Sequence, residues 1–283
     1  AGGSTDAIVR PLAQRLSQLW GQPVVLDNRP GGGSLIATQA VAQAAPDGHT
    51  LGLAINSLTI NPSLREDLPY DTLRDLTPVT QIGSVTVALV AHPSLGVASV
   101  ADLVQAARER PGAISWASLG IGTGGHITGE LLAKRAGIRM VHVPFNGSAS
   151  AYRELLPGRV QAAFVVLESA VPHLRAGTLR LLAVTDPRRN RQFPEVPTLD
   201  ESYRGLSYEG IFGFIAPAGL PPATLAALHA DIARVLAEPA VRQHLQEQSM
   251  DILALPPAEF AQVVRREIEH WKRAVKESGA QVS

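Results

Sequence analysis

Apolar residues recur at helical spacing over several stretches of this chain and bunch into short runs between them. Ile8, Leu12, Leu16 and Leu19 share one helical face just after Ser4, Thr5 and Asp6, all residue types that cap helix starts. The pattern predicts a helix over 6–20, a strand over 23–27, a helix over 35–45 behind Ser34, and a buried strand over 50–54 ending at Asn56 and Ser57. A second series then runs from a Ser99-capped helix to Arg110 through strands at 114–117, 140–144, 160–165 and 179–185. Helices at 127–136, 149–156 and 169–176 separate those strands. Longer apolar runs at 85–91 and 211–216 flank the series, each closed by a Pro/Gly-rich stretch, and from Pro222 the chain reads as mostly helical. Alternating strands and helices indicate an α/β protein of mostly parallel sheets with helical crossovers. The simplest arrangement is two lobes: residues 1–95 open the first, 96–212 form the second, and 213–283 return to the first. Pro11 falls inside the first helix, where it removes a backbone hydrogen bond and should bend the axis.

The junctions between strands and helices carry the candidate chemistry. Ala1-Gly2-Gly3-Ser4-Thr5-Asp6, Gly120-Ile121-Gly122-Thr123-Gly124-Gly125-His126 and Phe145-Asn146-Gly147-Ser148 each run into a helix, and Asn56-Ser57 end a strand. A glycine-rich turn at a helix start offers unpaired N–H groups and the positive end of the helix dipole, which suit a carboxylate or a phosphate. Such loops gather at the edge where open α/β sheets bind ligands. Four of them, rich in Gly, Ser, Thr and Asn and divided between two lobes, suggest a polar cleft.

Enzyme readings find less support. Gly120, Gly122 and Gly125 match G-x-G-x-x-G, but the acid that should follow about 20 residues on is absent, the nearest being Glu130 and Glu154. There is no G-x-S-x-G elbow and no phosphate-binding G-x-x-x-x-G-K-[ST] loop. The eight histidines show neither H-x-x-x-H nor H-E-x-x-H spacing, so no metal and no cofactor is expected. His126 stands out for its place in the first turn after the glycine loop. A Ser4–His126 nucleophile remains open on sequence alone, and Glu130 and Asp6 have nothing that pairs them as acid and base.

Composition narrows the partners. Lys plus Arg and Asp plus Glu number 25 each, aromatics make up 5%, and there is no cysteine. A neutral, aromatic-poor chain argues against nucleic acid and anionic membranes, and the absence of thiols suits either compartment, an oxidising one included. No apolar run reaches membrane-spanning length.

At these loops the sequence resembles the Bug/TctC family of periplasmic solute-binding proteins. The resemblance is carried by AGGSTDAIVR at 1–10, VVLDNRPGGGSLIATQAVAQAAPDGHTL at 24–51, GTGGHITGELLAKRAGIRMVHVPFNGSA at 122–149, PEVPTLDES at 194–202 and IAPAGLPPATLAAL at 215–228. It implies a two-lobed Venus-flytrap fold, periplasmic and monomeric, that closes on a small carboxylate and serves the membrane permease of a tripartite tricarboxylate transporter. The resemblance implies a binding protein and not an enzyme; a sensing module for a membrane partner and an enzyme on a similar frame are the alternatives. Gly3, Ser4, Thr5, Asn56 and Ser57 would bind ligand from lobe one. Gly122, Thr123, Gly124, His126, Asn146, Gly147 and Ser148 would do so from lobe two. Two departures matter. The strand that precedes AGGSTD in such proteins is not in this sequence; if it is truly missing rather than trimmed, the first sheet loses a central strand. Val165 stands where relatives that bind amino acids carry Asp, so a ligand without an α-amino group is expected.

Overall fold

Helical spacing becomes helix along most of the chain in the computed structural model, which describes residues 4–280. The chain starts α1 (Ser4–Trp20), α2 (Leu35–Ala42), β1 (Gly52–Ala54), α3 (Ser57–Leu64) and β2 (Leu76–Val85). It continues β3 (Val87–Ala91), α4 (Val100–Glu109), β4 (Ser115–Ser118), α5 (Gly124–Ala136), β5 (Val141–Pro144), α6 (Ser148–Leu155), β6 (Ala162–Val166), α7 (Leu167–Arg175), β7 (Arg180–Val184) and α8 (Leu199–Ser202). It closes with β8 (Gly210–Pro217), α9 (Pro222–Ala237), α10 (Pro239–Glu247), β9 (Met250–Leu255) and α11 (Pro257–Ser278). None of the described helices is long and apolar enough to cross a membrane.

Two compact units emerge, one from residues up to Val85 with Ile211–Arg273, the other from Thr86–Gly210 with the chain from Ala274 onward. The sequence reading set the crossings near 95 and 212 and sent all of the C-terminal chain to the first unit. The first crossing comes earlier because β2 and β3 are almost one extended run, broken only at Thr86. The last turns of α11 join the second unit through Glu277, whose carboxylate accepts from Arg135 Nε at 2.6 Å and Nη2 at 2.7 Å.

The first unit holds a four-stranded sheet in the order β1-β8-β2-β9, with β1 antiparallel to β8 and β2 antiparallel to β9. Its core gathers Tyr70, Leu76, Ile211, Ile215 and Phe260. The second holds five strands in the order β5-β4-β6-β3-β7. There β4 runs parallel to both β5 and β6, while β3 runs antiparallel to β6 and β7. Of the second sheet, β5-β4-β6 is the parallel part expected of each lobe, joined by helical crossovers, while β3 departs from it.

One local expectation needs correction, and two elements form where none was expected. Residues 23–27 form no strand, and Val25 is 81% exposed. An apolar run becomes a strand only against a partner, and this one pairs with none of the described residues. The chain after Pro222 is mostly helical as expected, and between α10 and α11, where no element was expected, Met250–Leu255 pairs with β2 as β9. Residues 57–64, which carry no helical signal and contain Pro62, form α3, with Ser57 through Asn61 buried. Pro11 is accommodated within a continuous α1. The expectation of a missing strand before AGGSTD falls outside the described residues, which begin at Ser4.

Candidate functional site

The second unit brings three helix starts to one sheet edge. Because β5, β4 and β6 are parallel neighbours, their carboxyl ends lie together, and each leads into a helix: β4 into α5, β5 into α6, β6 into α7. Each helix start leaves N–H groups without intrahelical acceptors, and the three dipoles point their positive ends toward the same edge.

The β4–α5 loop is the most closely built of the three. Thr123 caps α5, its hydroxyl accepting from His126 N at 3.4 Å and donating to the Gly120 carbonyl at 2.7 Å. Gly122 adopts φ +79°, a conformation glycine alone enters freely, and its N–H donates to His126 Nδ1 at 3.3 Å. Gly124 is required for a different reason: a Cβ there would collide with the ring of Tyr208, which packs against the start of α5. At the β5–α6 loop, Gly147 (φ +93°) sits at the cap position, its carbonyl accepts from Ser150 Oγ at 2.9 Å, and Ser148 is buried in the first turn. Asn146 is exposed.

His126 is nearly fully buried, and its ring stacks on that of His142 at 4.5 Å between centroids. Trp116 stacks on His142 in turn, at 4.3 Å. His142 Nε2 lies 2.7 Å from Ser118 Oγ. Burial pushes both histidines down to about 4, His126 adding a smaller lowering to His142, and it raises the carboxyl of Glu130 one turn along α5. His142, Trp116 and Tyr208 were not singled out from sequence, since they come from β5, β4 and the segment before β8, and no local spacing links them.

In the first unit, Asn56 and Ser57 open α3 directly after β1. Asn56 Oδ1 accepts from Ile211 N at 3.1 Å, which ties this turn to β8. Ser57 Oγ is buried with no hydrogen-bond partner among the described residues. Such an orphaned hydroxyl costs about 1–3 kcal/mol until something bonds to it. Thr5 is exposed in the first turn of α1; Gly3 and the side chain of Ser4 lie outside the described residues. Val165 is wholly buried in β6, opposite Ala88, within the apolar core of the second unit.

Comparison with known proteins gives this geometry a context. The family model described as "Tripartite tricarboxylate transporter family receptor" matches residues 8–280. The chain is 35% identical to protein BugT of Bordetella pertussis over 99% of its own length and 87% of that protein's. It is 34% identical, over 98% and 83%, to the UPF0065 protein of the tcbD-tcbE intergenic region of Pseudomonas sp. strain P51. Among solved structures, R. palustris Rpa4515 with adipate matches at TM-score 0.93 and 33% identity, covering 100% of this chain and 95% of that one. MatC of Rhodopseudomonas palustris with bound malate matches at TM-score 0.90 and 28% identity, covering 97% and 95%. The proteins matched are periplasmic solute-binding proteins rather than enzymes.

Proposed function

Since the chain belongs to the TctC family of tripartite tricarboxylate transporter receptors, we propose that it is a periplasmic receptor for a small carboxylate without an α-amino group, passed on to the permease of such a transporter. The observation that carries the reading is the set of three helix starts at one edge of the β5-β4-β6 sheet, each offering uncharged N–H donors to an anion. In the first unit, taken by itself, the Ser57 hydroxyl is a buried donor without a partner among the described residues.

Hydrogen bonds to a charged acceptor contribute roughly 1.5–3 kcal/mol each, and micromolar binding needs about 8 kcal/mol. Four or more such donors are therefore needed, and within the second unit the first-turn N–H groups of α5 and α6 are the ones to supply them, since Thr123 and Gly147 already donate to the carbonyls of Gly120 and Phe145. Relatives with adipate and with malate make a dicarboxylate the favoured class. Neither printed ligand carries an amine, and the exclusion of amino acids rests on that alone, since Val165 lies within the apolar core.

Mass spectrometry of the small molecule released on denaturing the purified protein tests this reading. An acid lacking an amine is expected. Release of glutamate, aspartate or another amino acid overturns it. Incubation with the identified acid should leave it chemically unchanged, as befits a receptor.

A further inference from the structure

We propose that His126, Glu130 and His142 form a binding site for a single divalent transition-metal ion, Zn2+ being the best fit, beneath the β4–α5 loop. His126 and Glu130 are four residues apart on α5, so their side chains rise from the same helix face on successive turns. His142 reaches them from β5, which pairs with β4 directly before that helix. One donor atom from each of the three lies within 4.8 Å of the others.

The donor set is two imidazoles and a carboxylate, which matches borderline cations such as Zn2+ better than the all-oxygen preference of Mg2+ or Ca2+. A tetrahedral ion bonded at about 2.0–2.2 Å holds its donors about 3.4 Å apart, so rotations on the order of 1 Å close the cluster. Three protein ligands leave a fourth position for water. The surroundings already provide an outer layer of contacts: Ser118 Oγ lies 2.7 Å from His142 Nε2, and Trp116 holds the His142 ring by stacking. An ion also answers a question the bare cluster poses, since it brings positive charge to a half-buried carboxyl and two imidazoles with no cation in the cluster.

The same geometry supplies a reporter. A neutral imidazole has one lone pair on nitrogen, and in His126 that lone pair accepts the Gly122 N–H at 3.3 Å. Ligation of the metal through either nitrogen of His126 uses that lone pair, so loading must release the Gly122 amide.

The test titrates chelator-treated full-length protein with Zn2+ by calorimetry, with Co2+ by visible absorption, and with Zn2+ again while the Gly122 amide is followed by NMR. The expected result is one ion per chain, a Co2+ spectrum of tetrahedral type, and a shifted Gly122 amide. Glu130→Gln keeps the side-chain volume and should weaken Zn2+ binding by about tenfold or more. His49→Gln, which removes an exposed histidine beside Asp47, should change neither stoichiometry nor affinity. Unaltered Zn2+ affinity in Glu130→Gln, or a wild-type Gly122 amide that does not move at saturating Zn2+, overturns the proposal. The amide measurement stands even where Glu130→Gln folds poorly.

Discussion

The second unit runs β5, β4 and β6 side by side in one direction and hands each over to a helix, whereas the first pairs β1 with β8 and β2 with β9 antiparallel. Parallel strands share a carboxyl edge, so three helix starts meet in the second unit without any special side chain to draw them there. Antiparallel neighbours alternate their ends, and in the first unit only β1 leads straight into a helix at a candidate loop. What that turn offers instead is specific side chains: Asn56, committed to Ile211, and Ser57, whose hydroxyl bonds to nothing among the described residues. One unit presents main-chain dipoles and the other presents side chains, and their responses to substitution should differ accordingly.

The largest effects should come from alanine at two glycines on which the sheets close. At Gly83 a Cβ would collide with the Asp251 carbonyl across the β2–β9 ladder, and backbone cannot move aside without breaking the register. At Gly129 it would collide with the indole of Trp116, which is fully buried and held by His142 and Phe164. Overpacking costs about 1–3 kcal/mol, partly offset at Gly129 by the helix preference of alanine, about 1 kcal/mol. Denaturant unfolding should show Gly83→Ala the more destabilising of the two. Equal stability of Gly83→Ala and wild type would mean the β2–β9 contact is looser than described.

A middle-sized pair separates side-chain from main-chain donors. Asn56→Ala strands the buried Ile211 N–H and should cost about 1–3 kcal/mol of stability. Thr123→Ala loses a helix cap worth about 1 kcal/mol and frees the Gly120 turn, so affinity for the bound acid should fall by about tenfold while the fold survives. Affinity unchanged in Thr123→Ala would remove the β4–α5 loop from the binding reading.

The smallest effect concerns acid. Glu201, held at about 2 by Arg189 and by the Thr198 N–H of its capping box, lies in the second unit; Asp75, held at about 2 by Arg74 and the Asp71 N–H, lies in the first. Both carboxyls sit below their ordinary values, so their stabilisation is complete above about pH 4.5 and is lost as pH falls toward 2. Glu201 is exposed and Asp75 is half-buried beside an exposed Arg74, so screening keeps the contribution small. Glu201→Gln should flatten that part of the acid unfolding curve, and an undiminished slope would show the ion pair contributes nothing.

Much of the second unit was legible in the sequence because local rules and tertiary structure agree there. Ser99 and Thr123 cap the helices they precede, and glycines mark the turns where φ is positive. The first unit was harder, since its elements are made by their partners. Pro23–Asp27 reads as a strand yet has no ladder partner among the described residues. Ser57–Leu64 contains Pro62 and β-branched residues yet forms a helix because its first turns are buried. Met250–Leu255 becomes a strand only by pairing with β2, past a register shift between Gln81 and Gly83. The histidine cluster was missed for a related reason: its ligand-type residues come from a helix and a strand twelve positions apart, and spacing rules look within one element. Val165 was singled out for facing a ligand, and its side chain is part of the core.

The reading rests on uncharged donors holding an acid that carries no amine, and competitive calorimetry addresses it directly. Purified, ligand-stripped protein titrated with adipate, malate and glutamate should bind one equivalent of a dicarboxylate at micromolar strength or better and leave glutamate at least about a hundredfold weaker, a gap of roughly 2.7 kcal/mol. Glutamate binding as tightly as either dicarboxylate would contradict it.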